Sequence, residues 1–142
     1  FVIQKYNDKN IYFDEIWVIL PTSVLLCSLD FKKISNKFKL QKKINILAVS
    51  KFPSPIEWSM SIKNNLLNFK DPNNLKFKSQ DFRDMYYDTG TFIVYNNISK
   101  KNIIIDRNKK FTPYILDPFK SVDIDTYDDW KLALKYYKLE NL

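Results

Sequence analysis

Residues 15–50 carry the pattern of a strand, a helix and a second strand in succession. Residues 15–20 form a continuous apolar run rich in β-branched side chains and stopped by Pro21, which is typical of a buried parallel strand. From Asp30, which we expect to be the helix N-cap, apolar residues recur at helical spacing. A second strand is predicted at 44–50. This order predicts a βαβ unit with parallel strands and therefore an α/β fold.

The middle of the chain predicts an excursion from this sheet and then a return to it. From residue 51 to about 78, prolines and polar residues interrupt any long periodic pattern. A strand is predicted again at 92–95. Just before it lies Gly90, the only glycine of the chain. Because glycine tolerates a positive φ or the close approach of another group, we expect Gly90 to need one of these, with a plain turn as the alternative.

The last third of the chain predicts edge strands, an acidic strand and a helix. Residues 102–117 are expected to form short edge elements, because Pro113 would break a ladder in the centre of a sheet. Residues 122–126 are predicted to form a short strand. They lead into a helix predicted at 127–139, whose N-terminus Thr126 would cap together with an aspartate in the first turn. The predicted apolar face of this helix comprises Trp130, Leu132, Leu134, Tyr136 and Tyr137.

The composition indicates a single domain without a nucleic-acid partner. With 142 residues and 45% hydrophobic side chains, the chain can bury a core, and we expect residues 1–142 to be one domain. The net charge of +7 comes almost entirely from lysines spread over several segments. We attribute this charge to composition, because the lysines are not gathered on one face. The longest apolar run is too short and too interrupted to cross a membrane, so no membrane partner is expected.

The chain has one cysteine, Cys27, and no histidine. A single cysteine excludes a disulfide within the chain, and we expect a reducing, cytoplasmic location. Without histidine, the usual zinc ligand sets and Cys–His or Ser–His catalysis are excluded within this chain. Any metal would be bound by oxygen atoms, which favours Mg²⁺ or a similar hard cation.

Two carboxylates in the predicted strand 122–126 fit this metal chemistry. Asp123 and Asp125 stand two residues apart, so the two-residue repeat of a strand would place both on one side. Such a pair suits a magnesium ion that is shared with substrate phosphates. The alternative is that both carboxylates are merely solvated at the end of a strand.

Five motifs, read together, resemble those of a known enzyme family. They are Ile-Leu-Pro-Thr-Ser-Val-Leu at 19–25, Phe-Pro-Ser-Pro-Ile at 52–56, Lys-Ser-Gln-Asp at 78–81, Tyr-Tyr-Asp-Thr-Gly-Thr-Phe at 86–92 and Ser-Val-Asp-Ile-Asp-Thr-Tyr-Asp-Asp-Trp at 121–130. In order and spacing they resemble the C-terminal motifs of the CMP-sialic acid synthetases, or acylneuraminate cytidylyltransferases. They are most similar to the pseudaminic acid branch, and the resemblance covers essentially the whole chain.

The chain departs from the pattern of that branch at several positions. The departures are Val24 for proline, Lys78 for arginine, Tyr87 for histidine, Thr89 for alanine and Thr91 for glutamine. Because Tyr87 and Thr91 would lie near the sugar, a related nonulosonic acid stays open as the substrate.

The resemblance implies a Rossmann-like nucleotidyltransferase sheet with flanking helices that binds CTP and a nonulosonic acid, uses Mg²⁺ and forms a homodimer. The anomeric hydroxyl of the sugar would attack the α-phosphate of CTP, and pyrophosphate would leave. Residue by residue, the resemblance implies that Asp123 and Asp125 are the catalytic pair that holds Mg²⁺.

The same resemblance implies a set of substrate-binding residues. They are Thr22, Ser23, Lys78, Gln80, Asp88 and Gly90. Lys78 would bind the sugar carboxylate or a phosphate, although a solvated loop is the alternative for Lys78 and Gln80. Thr22 and Ser23 would lie at the carboxyl end of the first strand, where open α/β sheets bind ligands. Their alternative role is to cap the entry of a helix.

Family members begin with a strand and a glycine- and basic-rich loop that binds the triphosphate, and no segment of this chain matches that loop. We therefore expect the chain to be the C-terminal portion of such an enzyme, truncated at the N-terminus, inactive alone and with an exposed sheet edge. Two other functions stay open. One is a non-catalytic interaction domain with the same fold, and the other is a related nucleotidyltransferase that acts on another sugar.

Overall fold

The computed structural model describes residues 2–41, 44–96 and 110–140. Within these ranges the chain is an α/β protein with a mixed sheet and flanking helices, which confirms the expected fold class. The helices are α1 (Val2–Asn7), α2 (Ser28–Leu40) and α3 (Tyr127–Glu140). The strands are β1 (Glu15–Ile19), β2 (Asn45–Lys51), β3 (Met60–Lys63), β4 (Leu66–Phe69), β5 (Tyr86–Asn96) and β6 (Phe111–Ile115). None of the described helices is long and apolar enough to span a membrane.

The main sheet has the strand order β1-β5-β2-β6. β5 runs antiparallel to both β1 and β2, whereas β2 and β6 are parallel. β1 and β2 therefore run in the same direction, as the predicted βαβ unit requires. However, β5 lies between them, and the local pattern of residues 15–50 does not indicate this insertion because β5 comes from a later part of the chain.

β1 is an edge strand of the described sheet, so the expectation of a buried parallel strand is wrong. Within the described residues it pairs only with β5, and the pairing is antiparallel. Val18 and Ile19, at its carboxyl end, are 37% and 43% exposed. A β-branched apolar run favours a strand, but it does not specify the direction of the neighbouring strand or what covers each face.

The start of α2 is fixed by a carboxylate in its first turn. Cys27 is the N-cap, and its backbone N–H donates to Oδ2 of Asp30 over 2.9 Å. Asp30 is thus the third residue of the helix, and the prediction that it is the N-cap is wrong. Its carboxylate also lies 2.8 Å from Nζ of Lys120, which ties α2 to the turn after β6. An acidic residue near a helix start favours either position, and only the backbone geometry distinguishes them.

The core lies between α2 and one face of the main sheet. Its buried members are Ile34, Phe38, Ile46, Ala48, Phe92, Val94 and Leu116. The two members on α2 lie four residues apart, which places them on one face of the helix. The two members on β2 and the two on β5 lie two residues apart, which places each pair on one face of its strand. The core therefore fixes the strands whose ends carry the candidate site.

Residues 51–78 leave the main sheet, as predicted, but they contain a hairpin that the pattern did not reveal. β3 and β4 pair antiparallel with each other and form a separate two-stranded sheet. Asn64 and Asn65 make the turn, with φ values of 52° and 60°. Positive φ at both central residues is typical of the type I′ hairpin turn, and asparagine tolerates this conformation better than most residues.

β6 lies at the other edge of the described sheet, which agrees with the prediction for this segment. Pro113 stands opposite Leu47 of β2, and an edge position accommodates a proline because only one side of the strand must form a ladder. The apolar triplet at 103–105 lies outside the described residues. The predicted strand at 122–126 is wrong, because in the described structure this segment pairs with no strand.

α3 confirms the predicted helix and its cap. Oγ1 of Thr126 lies 2.7 Å from Oδ2 of Asp129, and the same oxygen accepts the backbone N–H of Thr126 over 2.8 Å. The apolar face of α3 is largely exposed, although its apolar pattern favours burial. Among the described side chains of α3, Ala133 is the buried one, whereas Trp130 is 49% exposed.

Candidate functional site

Gly90 lies in a bulge of β5. Leu47 of β2 pairs with Ile93, and Val49 pairs with Asp88, so four residues of β5 stand opposite one residue of β2. Gly90 has a φ of +64°, which confirms the expected positive φ. A residue with a Cβ is strained in this conformation, and this explains why the chain has a glycine here.

A chain of hydrogen bonds holds this bulge against the loop that follows β1. Oγ of Ser23 donates to the carbonyl of Thr91 over 2.7 Å, and the N–H of Leu20 donates to the same carbonyl over 3.1 Å. The hydroxyls of Thr91 and Thr89 lie 2.7 Å apart, and Thr89 donates to the carbonyl of Ala48 over 3.2 Å. Because both threonines are buried, these bonds fix the bulge from the interior of the protein.

Three residues that the sequence analysis singled out lie in the bulge or in the loop that follows β1. Ser23 lies at the bulge, but its hydroxyl hydrogen is already donated to the backbone. Thr22 is half-buried, and its carbonyl accepts the N–H of Val24 over 2.9 Å in the same loop. Thr91 is buried and bonded to Thr89, so its side chain stabilises the bulge. The substrate roles of Thr22 and Ser23 stay predictions.

Two exposed carboxylates lie beside Gly90. Oδ1 of Asp88 accepts the N–H of Gly90 over 2.9 Å. Oδ2 of Asp123 lies 3.8 Å from the position that a Cβ on Gly90 would take. The bulge therefore brings Ser23, Asp88, Gly90 and Asp123 together near the carboxyl end of β1, which is the kind of position where open α/β sheets bind ligands.

Asp123 and Asp125 are both exposed even though their segment is not a strand. Val122 and Ile124 are half-buried, so exposure alternates along the segment as the predicted strand would require. The N–H of Asp125 donates to Oδ2 of Asp129 over 3.3 Å, which joins the segment to the cap of α3.

This donor set fits Mg²⁺. The carboxylates of Asp123 and Asp125 supply hard oxygen atoms. The missing Cβ of Gly90 leaves space beside Asp123. Mg²⁺ commonly binds through one or two carboxylates and completes its shell with water and phosphate oxygens. In the part of the chain that the structure describes, no group of three or more potential metal ligands is clustered.

Gln80 lies in a different cleft, between the proline-rich turn at 52–55 and residues 79–85. This Gln80 cleft has a volume of about 340 Å³, and its charged lining residues are Lys51, Arg83 and Asp84. A smaller cleft of about 230 Å³ contains Asp88 and Gly90.

The wall of the Gln80 cleft is attached to the strand that carries Asp88. The N–H of Phe52 donates to the carbonyl of Met85 over 2.9 Å, and the rings of Phe52 and Tyr87 lie 5.1 Å apart. Tyr87, which departs from the family pattern, therefore packs against the cleft wall. These contacts join the proline-rich turn to the start of β5, one residue before Asp88.

Lys78 does not line either of these clefts. It is exposed, and its backbone N–H donates to Oδ2 of Asp81 over 2.8 Å. Its substrate role stays a prediction. Arg83, which the sequence analysis did not single out, lines the Gln80 cleft. A signal for it was present, because Arg83 and Arg107 are the only two arginines among 23 basic residues.

No protein-family model matches the chain. Two curated relatives, from Campylobacter jejuni subsp. jejuni serotypes O:23/36 and O:2, are both named pseudaminic acid cytidylyltransferase. Each is 27% identical over 149 aligned residues, which cover 98% of this chain and 60% of the relative. The chain therefore spans about three-fifths of the length of these relatives. This similarity makes the chain a distant relative of two pseudaminic acid cytidylyltransferases, and it supports a distant relationship to the CMP-sugar synthetases.

Proposed function

We propose that this chain is part of a cytidylyltransferase that transfers CMP from CTP to a nonulosonic acid, of the pseudaminic or a related type, and releases pyrophosphate. The observation that carries the proposal is the position of Asp123 beside Gly90 and Asp88. Two motifs that are far apart in the sequence meet at one end of the sheet. The names of the two relatives support the same reaction class.

In this reaction the anomeric oxygen of the sugar forms a bond to the α-phosphorus of CTP. The bond between that phosphorus and the bridging oxygen breaks, pyrophosphate leaves, and the sugar hydroxyl loses its proton. Asp123 and Asp125 would hold Mg²⁺. When bound, this ion would neutralise phosphate charge and lower the pKa of the attacking hydroxyl.

The residues around the bulge position the sugar in this proposal. The N–H of Gly90 orients the carboxylate of Asp88, which leaves the second oxygen to accept a hydrogen bond from a sugar hydroxyl. Because Gly90 has no side chain, a ligand can approach the backbone closely at this point. From the separate Gln80 cleft, Gln80 would add an amide that can both donate and accept hydrogen bonds.

The contacts to the triphosphate of CTP belong, in this proposal, to a part of the enzyme that this sequence does not contain. The chain covers 60% of the relatives' length, and it has no glycine- and basic-rich loop. We therefore expect this chain alone to turn over CTP poorly or not at all.

The proposal includes a homodimer, which the β3–β4 hairpin supports. All eight residues of its two strands are exposed. Met60, Ile62, Leu67 and Phe69 share one face of this hairpin, and none of them is charged. An isolated two-stranded hairpin is marginally stable in water, so packing against the same face of a second copy would stabilise it without opposing like charges.

The test uses Asp123→Asn, with Asp128→Asn on the exposed surface of α3 as the matched control. In the protein of full natural length, we expect Asp123→Asn to lower pyrophosphate release from CTP and pseudaminic acid by roughly 100-fold or more. In the chain itself, Mn²⁺ should broaden the backbone NMR signals around Gly90, and Asp123→Asn should remove this broadening. The control should behave like the unchanged protein in both measurements.

Other results would change the proposal in defined ways. A folded full-length protein that binds neither CTP nor a nonulosonic acid would favour a non-catalytic interaction domain. Activity with a different nonulosonic acid only would keep the reaction and correct the sugar.

A further inference from the structure

Arg83 is a charged residue without a role in the proposal above, and it lines the Gln80 cleft. Its neighbours in the lining include Phe52, Phe82 and Met85, so much of the wall is apolar. Gln80 and two serines add uncharged hydrogen-bonding groups. A cleft with this composition suits a ligand that has both polar and apolar faces.

Arg83 carries the net positive charge of this cleft, because the other two charged lining residues form an ion pair. Nζ of Lys51 lies 2.6 Å from Oδ1 of Asp84, so these two lining residues neutralise each other. This hydrogen bond to Asp84 also raises the pKa of Lys51 above its ordinary value. Within the described residues, no carboxylate lies within ion-pair distance of Arg83.

We propose that Arg83 binds the carboxylate of the sugar acid, with the sugar ring seated beside Gln80. The inference rests on the proposed function, because it takes the acid to be the substrate. The planar guanidinium can donate two parallel hydrogen bonds to a carboxylate, which fixes the orientation of the acid as well as its charge.

The amount of charge favours a carboxylate over the triphosphate of CTP. The cleft lining carries a net charge of about one positive unit, and a carboxylate carries one negative unit. A triphosphate carries several negative charges and would need further cations or a metal ion in the lining. Lys78, the residue that the family resemblance assigns to this role, lies outside the lining.

The test uses Arg83→Gln and Arg83→Lys in the full-length protein, with Lys39→Gln on the exposed face of α2 as the matched control. Loss of charge-assisted hydrogen bonds should raise the KM for the sugar acid about 10- to 100-fold in Arg83→Gln. The KM for CTP should stay nearly unchanged, and Arg83→Lys should recover part of the loss. The control should change neither constant. Equal increases in both KM values, or no increase for the acid, would overturn the proposal.

A second measurement avoids the risk that Arg83→Gln does not fold. Phenylglyoxal labels arginines, and the two arginines of the chain fall in separate peptides that mass spectrometry distinguishes. Pseudaminic acid should protect Arg83 from labelling, whereas its methyl ester should not.

The outcomes separate this inference from the proposed function. Protection by the acid alone supports the assignment of Arg83. If the acid binds, as detected by NMR, but leaves Arg83 unprotected, the assignment is overturned while the proposed function stands. If the unchanged full-length protein binds no sugar acid at all, the proposed function fails, and the assignment fails with it.

Discussion

At the scale of single residues, Gly90 shows most clearly how the backbone shapes the candidate site. A Cβ at this position would lie 3.5 Å from Cδ1 of Leu20 and 3.8 Å from Oδ2 of Asp123, which are ordinary contact distances. The need for glycine therefore comes from the φ of +64° and not from lack of space. The conformation matters to the site because the N–H of Gly90 orients Asp88.

We predict that Gly90→Ala lowers the free energy of unfolding by about 1 kcal/mol. The left-handed conformation costs a residue with a Cβ about 1–2 kcal/mol, and the lower entropy of the unfolded alanine variant returns about 0.4–1 kcal/mol of this. Gly90→Asn should lose less, because asparagine tolerates this conformation better. Urea unfolding of the three proteins measures both effects. An alanine variant that is more stable than the unchanged protein would contradict the explanation.

At the scale of elements, the ion pair of Asp30 and Lys120 joins the start of α2 to the turn after β6. The Nζ to Oδ2 distance is 2.8 Å, and the two side chains are 17% and 11% exposed. Burial raises the pKa of Asp30, but the hydrogen bonds from the N–H of Cys27 and from Lys120 outweigh it, and the pKa lies below its ordinary value of 3.8. The carboxylate therefore stabilises the folded protein in its charged form.

We predict that this contribution disappears in acid. A lowered pKa means that the stabilisation is complete at pH values above 3.8 and is lost as the pH falls through the lower pKa of the folded state. At pH 7, Asp30→Asn should lower the free energy of unfolding by about 1.5–3 kcal/mol, because the hydrogen bonds of the charged carboxylate with the N–H of Cys27 and with Lys120 are lost or weakened. Urea unfolding at several pH values should show the difference between the two proteins shrinking in acid. A difference that stays constant down to the lowest pH would refute this account.

At the scale of the whole molecule, two surfaces of the described residues are apolar and exposed. One is the face of α3 around Trp130, and the other is the hairpin face of Met60, Ile62, Leu67 and Phe69. Large exposed apolar patches commonly mark interaction surfaces. The hairpin forms a sheet of its own, separate from the main sheet whose strand β5 carries Gly90.

We predict that Ile62→Lys disrupts the proposed homodimer. Ile62 is 74% exposed on the uncharged face, so two copies in contact would each bury a lysine against apolar side chains. Ser61→Lys is the matched control, because Ser61 points to the opposite face of the same strand. Light scattering after size-exclusion chromatography should give a monomer for Ile62→Lys and a dimer for the control. If the unchanged protein is a monomer at all accessible concentrations, or if Ile62→Lys remains a dimer, the hairpin is not the interface.

Local patterns predicted much of the secondary structure and part of the site. The strand at residues 44–50, the cap and length of α3, the edge position of Pro113 and the positive φ of Gly90 all follow from interactions within a few residues or from the chemistry of one residue type. The family resemblance assigned Gln80, Asp88 and Gly90 to the sugar and Asp123 to Mg²⁺. The structure brings Asp88, Gly90 and Asp123 together, whereas Gln80 lines a different cleft.

The amino-acid sequence by itself determined the α/β class, helices α2 and α3 and the strands of the main sheet, because these depend on local hydrophobic repeats and on capping residues, whereas α1 and the β3–β4 hairpin were not predicted. Only the tertiary structure decided that β5 enters between β1 and β2, that residues 122–126 find no ladder partner and that Thr91 turns inward. It also placed Arg83 in the Gln80 cleft and left Lys78 outside it. The physical reason is the same in each case: pairing, burial and charge balance depend on residues distant in sequence, and these meet only when the chain is folded.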